Sequence, residues 1–598
     1  MKYIYLITLI LALNACKSNQ NNNSGQLTIQ SYYKNYADST ILQLNELSIL
    51  LESKNSNVTL RNKFLACRYF YKHIEPMVEY YFQGLNKRIN GPALPDVKID
   101  DNQVFPPKGF QVIEQYLWTD NPFDNSKNIK EEINVLISDL KFSETQLLDQ
   151  SILPRHLREM IQHQIIRIAT NSITGLDAPI SFNSLHESHA SLEGIIKIIN
   201  KYISAESKIN KNDFIYETQL KRAIAYLSEN RDFNTFNRMN FILNYLMPLS
   251  ESLKDFPVTQ TTEDEEIKKA FNGTLKDLMT GKGYNPDYFS PYAIAASNKS
   301  KIEMGEKLFY DVKLSRSSTI SCAKCHQKEK YFTDGNTKAE NFAHGGILNR
   351  NTPTLYYAAF QASQFYDSRT TTLEEQINDV MQNDSEFNLA DNELIAKISQ
   401  VKEYKKLSKN AFDNDSLDNF KIRNAIAAYV RTLMPFSSNF DKYMQGDQNA
   451  LNNGEINGFN LFMGKAKCGT CHFAPIFNGT LPPWYTKSES EIIGIPKFSA
   501  WKNAIIDDDR GRYEINKLEE LKYAFKTPTI RNIDKTGPYM HNGVYKSLEE
   551  VLKFYHVGGG VGIGIDLPFQ SLPFDSLNLS DSEVKDIVAF MKTLTDKQ

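Results

Sequence analysis

The sequence predicts an all-α protein, a helical-bundle N-terminal domain followed by two related helical halves. Apolar residues recur at helical spacing through residues 31–256, and no long strand-like alternation interrupts them. Beyond residue 290 the same short motifs occur twice. At 598 residues the chain has room for about three to five domains. Lys+Arg 68 against Asp+Glu 71 leaves a formal charge of −3, with no basic excess to bind nucleic acid. A hydrophobic content of 41% and a mean hydropathy of −0.45 exclude both a disordered and a membrane-embedded chain. Six cysteines are too few for a disulfide-stapled scaffold.

The first element is an apolar run from Ile4 to Leu13 behind Lys2. It is too short to cross a bilayer, which needs about 20 residues, and reads as an export signal over 1–16 with a polar linker over 17–30. The small residue Ala15 directly before Cys16 resembles the lipobox of bacterial lipoproteins, in which that cysteine is acylated. An ordinary signal peptide with a chance cysteine is the alternative. The expected location is periplasmic, with Cys16 lipidated as the chain's only tie to the membrane.

Residues 31–256 form the helical N-terminal domain. Leu192, Ile195, Ile196, Ile199 and Ile203 repeat at helix spacing, and Ile41, Leu44, Leu47 and Leu51 do so more loosely. Cys67 sits in an apolar helical context and is expected to be a buried free thiol. His156, His163, His186 and His189 show no ligand spacing, and His186 and His189 are expected to be a solvated pair. A linker spans 257–290, with its acidic stretch at 259–266 and turn signals at Asn285-Pro286.

The region beyond the linker carries the repeat. Gly305-x-x-Leu308-Phe309 precedes Cys322, and Gly458-x-x-Leu461-Phe462 precedes Cys468. Thr352-Pro353-Thr354-Leu355 matches Thr527-Pro528-Thr529-Ile530, and in both copies 21 residues separate this motif from a Leu-Glu-Glu, at Leu373 and Leu548. Thr372 with Glu375, and Ser547 with Glu550, are capping boxes that open a helix in each half. Each half is organised around Cys-x-x-Cys-His: Cys322, Cys325 and His326 in one, Cys468, Cys471 and His472 in the other. This is the attachment site of c-type haem, where two thiols add to the haem vinyl groups and the adjoining imidazole binds iron. A thioredoxin-like redox pair or half of a zinc site would share the Cys-x-x-Cys. The histidine after both pairs disfavours the first, and no further cysteine pair completes the second. The second region therefore reads as two cytochrome c-like haem domains, 291–447 and 448–598, holding two covalent haem c groups.

The halves differ in what could lie opposite the histidine. Leu548, Val551, Leu552 and Tyr555 share one helix face, with His556 rotated about 100° away. The equivalent face in the first half carries Leu373, Gln376, Ile377 and Val380. Tyr555 can bind iron; Val380 cannot.

Residues from about 285 to 598 resemble the bacterial di-haem cytochrome c peroxidase family, which includes the MauG-type enzymes that mature methylamine dehydrogenase. The resemblance rests on the approach from Leu314 to His326, Phe332-Thr333-Asp334-Gly335, Arg350-Asn351-Thr352-Pro353-Thr354, and Pro538-Tyr539-Met540-His541-Asn542-Gly543. It implies a peroxidatic first haem and an electron-transfer second haem. It implies His344 as a removable distal ligand of the first haem, Gln376 as a distal-pocket residue and Glu386 as the acid–base glutamate. Tyr555 falls at the second haem's axial position, occupied by methionine in the peroxidases and tyrosine in the MauG-type enzymes. Asn351, Thr536 and the carbonyl of Pro538 match calcium-binding positions between the haems, and His541 supports the second pocket. The family's tryptophan between the haems is replaced by Tyr366.

In the N-terminal half, Gly109-Phe110-Gln111-Val112-Ile113-Glu114 resembles the Gly-x-His-x-x-Glu helix of imelysin-like domains, with Gln111 in place of the histidine. Glu114 and Glu187 could be remnants of a site but are expected to be exposed helix carboxylates, and this half to dock a partner or position the haem region above its anchor. The expected function is reduction of hydrogen peroxide to water with electrons from a small donor cytochrome c or copper protein. A MauG-type oxidase modifying a protein side chain and a non-catalytic di-haem electron carrier are the alternatives.

Overall fold

The computed structural model describes residues 2–98, 101–205, 215–256, 268–342, 344–573 and 575–598, with side chains from residue 25 onward. The Cys16 side chain therefore lies outside the described residues. The chain divides into two compact units, one of residues 1–96 and 104–265, the other of 97–103 and 266–598. Among the described residues no helix is long and apolar enough to cross a membrane.

In the first unit the helix Lys2–Glu52 packs against Asn57–Lys72, Ser126–Leu148 and Ser184–Ala205. Its buried stripe runs Ile29, Tyr32, Tyr33, Ala37, Thr40, Leu44, Leu47 and Leu51, the spacing of one helix face. The stripe begins inside the segment expected to be linker: Ile29 is buried, and Gln30 donates to the Leu147 carbonyl at 3.0 Å. On Ser184–Ala205 the buried face is Leu192, Ile195, Ile198, Ile199, Tyr202 and Ile203, leaving Ile196 half-buried. Ile198 and Tyr202 share that face with Ile195, whereas Ile196 sits one step round from it. Ser56 caps Asn57–Lys72 by accepting from the Thr59 amide.

Glu114 and Glu187 are not exposed; each retains only 1% of its surface. They belong to a buried charge cluster between helices. Arg68 pairs with Glu187, Lys72 bonds Glu75 at 2.6 Å and Asp177 at 2.7 Å, and Arg167 bonds Asp177 at 2.6 Å. Hydrogen-bonding periodicity, unlike hydrophobic periodicity, does not show in a helix sequence, so these carboxylates read as surface. Gln111, buried beside them, donates to the carbonyls of Asn90 at 3.1 Å and Leu176 at 3.0 Å. His186 is exposed as expected, while His189 is half-buried and bonds Ser228 at 2.9 Å.

The second unit begins within the expected linker. Residues 268–290 pack into it, with Thr274 and Asp277 capping the short helix Leu275–Met279, whose Leu275, Leu278 and Met279 are buried. Two helix crossings dominate the remainder of this unit: Lys299–Tyr310 on Asn419–Val430, and Asn453–Phe462 on Asp581–Thr593. The repeated glycines explain both. A Cβ on Gly305 would lie 1.8 Å from the Ala425 carbonyl oxygen, and one on Gly458 would lie 1.9 Å from that of Asp586. Only glycine allows backbones this close. The helices Leu373–Gln382 and Leu548–His556 open with the expected capping boxes, both hydrogen bonds of each being present. A short antiparallel pair, Ser490–Ile492 with Ala524–Lys526, sets Glu491 opposite Phe525.

The two halves are tied by buried polar contacts. Arg531 forms a two-pronged pair with Asp441 at 2.8 and 2.7 Å. The Asp596 carboxylate accepts from Tyr357 at 2.8 Å, the Ser437 amide at 2.8 Å and Asn532 at 3.1 Å.

Candidate functional site

The Cys-x-x-Cys-His turns have the same local build in both halves. Cys322–Cys325 is one helical turn and Cys468–Thr470 a 3-10 turn, and the histidine backbone N–H closes each on the first cysteine's carbonyl at 2.9 Å. The four thiols are free, and burial pushes Cys322, Cys325 and Cys468 up to about 12. A redox dithiol or a metal thiolate needs the opposite shift.

Each histidine is aimed by backbone carbonyls. His326 Nδ1 donates to the Phe332 carbonyl at 2.9 Å, with the Pro353 carbonyl also in range. His472 Nδ1 donates to the carbonyls of Phe477 and Pro528, both at 3.1 Å. A carbonyl can only accept, so Nδ1 carries the proton and Nε2 presents a lone pair for iron. Burial lowers both imidazoles, His472 to about 4, which keeps them neutral. Pro353 and Pro528 are the prolines of the repeated Thr-Pro-Thr. The repeat is thus explained by a carbonyl that orients the imidazole, a role the sequence displayed without revealing. Phe332 and Phe477 adopt the left-handed region, at φ 58° and 53°, to turn their carbonyls inward. Paired free thiols beside an oriented, neutral imidazole fit a covalent haem c at both places.

The first site carries a carboxyl. Glu386 is half-buried and near enough to Cys322 and Cys325 to oppose the ionisation of both. Burial raises its own pKa, only partly countered by a 2.9 Å hydrogen bond from the Asn383 amide. Gln376 is half-buried on the helix Leu373–Gln382, as is Val380 one turn on. His344 differs: it is exposed at the tip of a loop closed by the Glu340–Ile347 bridge, its backbone N–H donating to Asn341 at 3.0 Å. Gly345 and Gly346 come directly after it, at φ 74° and 90°, with open space around them.

The second site carries a phenol. Burial raises Tyr555 far above the ordinary tyrosine range, and the nearby thiols of Cys471 and Cys468 push it the same way. His556 is turned away, bonding Ser576 at 3.4 Å. The same helix buries Phe554 in a cluster with Ile492, Ile495 and Tyr545. A second carboxyl here escaped sequence reasoning. Glu491 is half-buried beside Cys471 and Ser571, and desolvation pushes it up to about 7. Its only signal was a charged residue just before the apolar Ile492-Ile493. His541 stacks on Phe525 at 3.9 Å and faces Asp507 at 3.4 Å.

Between the halves, Asn351 donates through Nδ2 to the Pro538 carbonyl at 2.9 Å, so two of the three expected calcium donors are neighbours. Thr536 is half-buried nearby in sequence, its amide donating to the Ile533 carbonyl at 3.3 Å. Arg350 spans the junction, bonding Asp367 and Asp509 at 2.6 Å each.

A mostly helical frame with two equivalent cysteine–histidine turns defines a di-haem c-type protein. Residues 299–449 match the family model for di-haem cytochrome c peroxidase. The methylamine utilization protein MauG of Methylorubrum extorquens is 33% identical over 296 residues, covering 49% of this chain and 78% of that one. Cytochrome c551 peroxidase of Nitrosomonas europaea is 32% identical over 309 residues, covering 51% of this chain and 83% of that one. Among solved structures, a MauG-like protein associated with microbial copper homeostasis aligns with a TM-score of 0.44 and 28% identity, over 51% of this chain and 91% of that one. The chain belongs to the di-haem cytochrome c peroxidase and MauG family, whose members are oxidoreductases built on haem c.

Proposed function

We propose that the protein reduces hydrogen peroxide to water, taking two electrons and two protons per peroxide, with the electrons supplied by a small periplasmic cytochrome c or copper protein. The observation that carries this reading is the inequality of the two sites: a carboxyl lies beside each pair of thiols, Glu386 at the first and Glu491 at the second, but only the second adds a phenol, Tyr555. Haem attached through Cys322 and Cys325, and through Cys468 and Cys471, would supply peroxide-binding iron at the first site and electron relay at the second. His326 and His472 would be the proximal ligands.

The remaining chemistry belongs to the chain. Glu386 takes the proton from the inner peroxide oxygen and returns it to the outer one, so that the departing oxygen leaves as water rather than hydroxide. Burial suits it to this, because a raised carboxyl exchanges protons nearer neutral pH than an exposed one. Gln376 orients peroxide beside it. His344 would hold the bound haem at the first site and release it for turnover; Gly345 and Gly346 directly after it give the loop that freedom. Tyr555, near the thiols of Cys468 and Cys471, would hold the haem attached there.

Export and tethering through acylated Cys16 complete the proposal; a Cys16→Ser variant that still partitions with membranes and incorporates palmitate would remove the anchor. A steady-state assay with reduced cytochrome c and peroxide tests the activity. Absence of turnover by both oxidised and pre-reduced protein would leave an electron carrier. Tyr555 favours one second reading, a MauG-type oxidase acting on a protein side chain, which the same assay separates by slow cytochrome oxidation alongside peroxide consumption.

A further inference from the structure

The junction between the halves holds one side-chain amide that two groups can claim. Asn351 is 9% exposed and uses both ends of its amide. Oδ1 accepts from the Tyr366 phenol at 2.5 Å, while Nδ2 donates to the Pro538 carbonyl at 2.9 Å. Its backbone N–H donates to the His541 carbonyl at 2.8 Å, and the Tyr366 carbonyl accepts from the Lys526 amide at 2.7 Å. Both residues are thereby pinned across the junction.

This amide orientation is dictated by its neighbours. The Pro538 carbonyl can only accept, so without a cation the amide must turn its NH2 there and its oxygen toward Tyr366. A calcium ion shared by Asn351 and Pro538 requires the reverse, with both oxygens facing the ion. A half-turn of the amide provides that arrangement, so the residues fit the ion. The half-turn also presents NH2 to Tyr366, whose phenol must then accept instead of donate. Its own proton loses the Asn351 oxygen as acceptor, in a site where burial already raises the phenol's pKa.

We propose that the Tyr366 phenol and a divalent cation compete for the Asn351 carbonyl oxygen, so that Tyr366 sets the calcium affinity of the junction. Calcium binding and the Tyr366→Asn351 hydrogen bond are mutually exclusive states of one amide. The proposal rests on Asn351 and Pro538 forming a cation site, and the test separates that premise from the competition itself.

The experiment is calcium titration by calorimetry of the haem-loaded protein after EGTA treatment, comparing wild type with Tyr366→Phe. Removing one hydrogen bond from the competing state should tighten calcium binding by about three- to tenfold. Equal or weaker binding by Tyr366→Phe overturns the competition while leaving the cation site in place. No binding by either protein, at millimolar calcium, overturns both. Ultraviolet resonance Raman on the wild type gives a readout independent of the variant's folding. Calcium should shift a tyrosine hydrogen-bond band, and a spectrum that calcium leaves unchanged overturns the proposal. In the variant that shift should be absent.

Discussion

The Glu386 carboxylate is held by the Asn383 amide three residues earlier, at 2.9 Å, and that bond is the nearest favourable contact opposing its desolvation. Glu386→Gln keeps the shape and the Asn383 contact but cannot shuttle a proton. Turnover should fall about 10²–10⁴-fold, the usual worth of general acid–base assistance. Both haem absorption spectra should survive. Near-normal turnover in a fully haem-loaded variant would take Glu386 out of the mechanism.

Tyr555 should govern the second haem's redox behaviour. A phenolate ligand stabilises ferric iron, whereas methionine favours ferrous iron and raises the potential. Tyr555→Met should therefore raise that haem's midpoint by a sizeable part of the about 0.8 V range that axial ligands command. Spectroelectrochemical titration should find the first haem nearly unmoved. Identical titration curves for variant and wild type would assign the ligand elsewhere.

These two residues show how far the sequence could be read. Cys-x-x-Cys-His, the capping boxes at Thr372 and Ser547, and the face of Tyr555 come from spacing along one helix or turn, and local spacing is what a sequence displays. The Thr-Pro-Thr repeat was visible, but its carbonyls reach histidines 27 and 56 residues earlier, which no local period encodes. Glu491 and the charge cluster of Glu114 and Glu187 were missed for a related reason. A charged residue reads as solvated until the partner that buries it is known. His344 was placed by family position alone, and its exposed loop tip shows no enclosing contact that periodicity could have announced.

The Arg68–Glu187 pair should be expensive to break and cheap to replace. Both side chains are 1% exposed. Arg68→Ala leaves the buried Glu187 carboxylate with Lys72 at 3.4 Å and should cost up to about 3–5 kcal/mol, read as a drop in the first unit's unfolding temperature. The double change Arg68→Met with Glu187→Leu should recover most of that loss. A double variant no more stable than Arg68→Ala would show that packing, rather than charge, sets the cost.

Glu79 gives the first unit a pH dependence of defined sign. Desolvation raises its carboxyl from 4.5 to about 7, against the pull of Arg167. Between those values the folded state keeps a proton that the unfolded state releases, so stability falls as pH rises and levels off above about 7. Glu79→Gln removes that slope. Calorimetry should find the variant gaining on wild type from pH 5 to pH 8, and parallel stability curves would assign the pH dependence to other groups.

The bond between Tyr357 and Asp596 joins residues 239 apart, and it gives the haem region a timetable. Synthesis at about 5–20 residues per second separates the two partners by on the order of 10–50 s. Throughout that interval the first half lacks the carboxylate that fastens Tyr357, while Cys322 and Cys325 have already been made. The length of the second half thus sets a lower bound on the time between making those thiols and closing that contact.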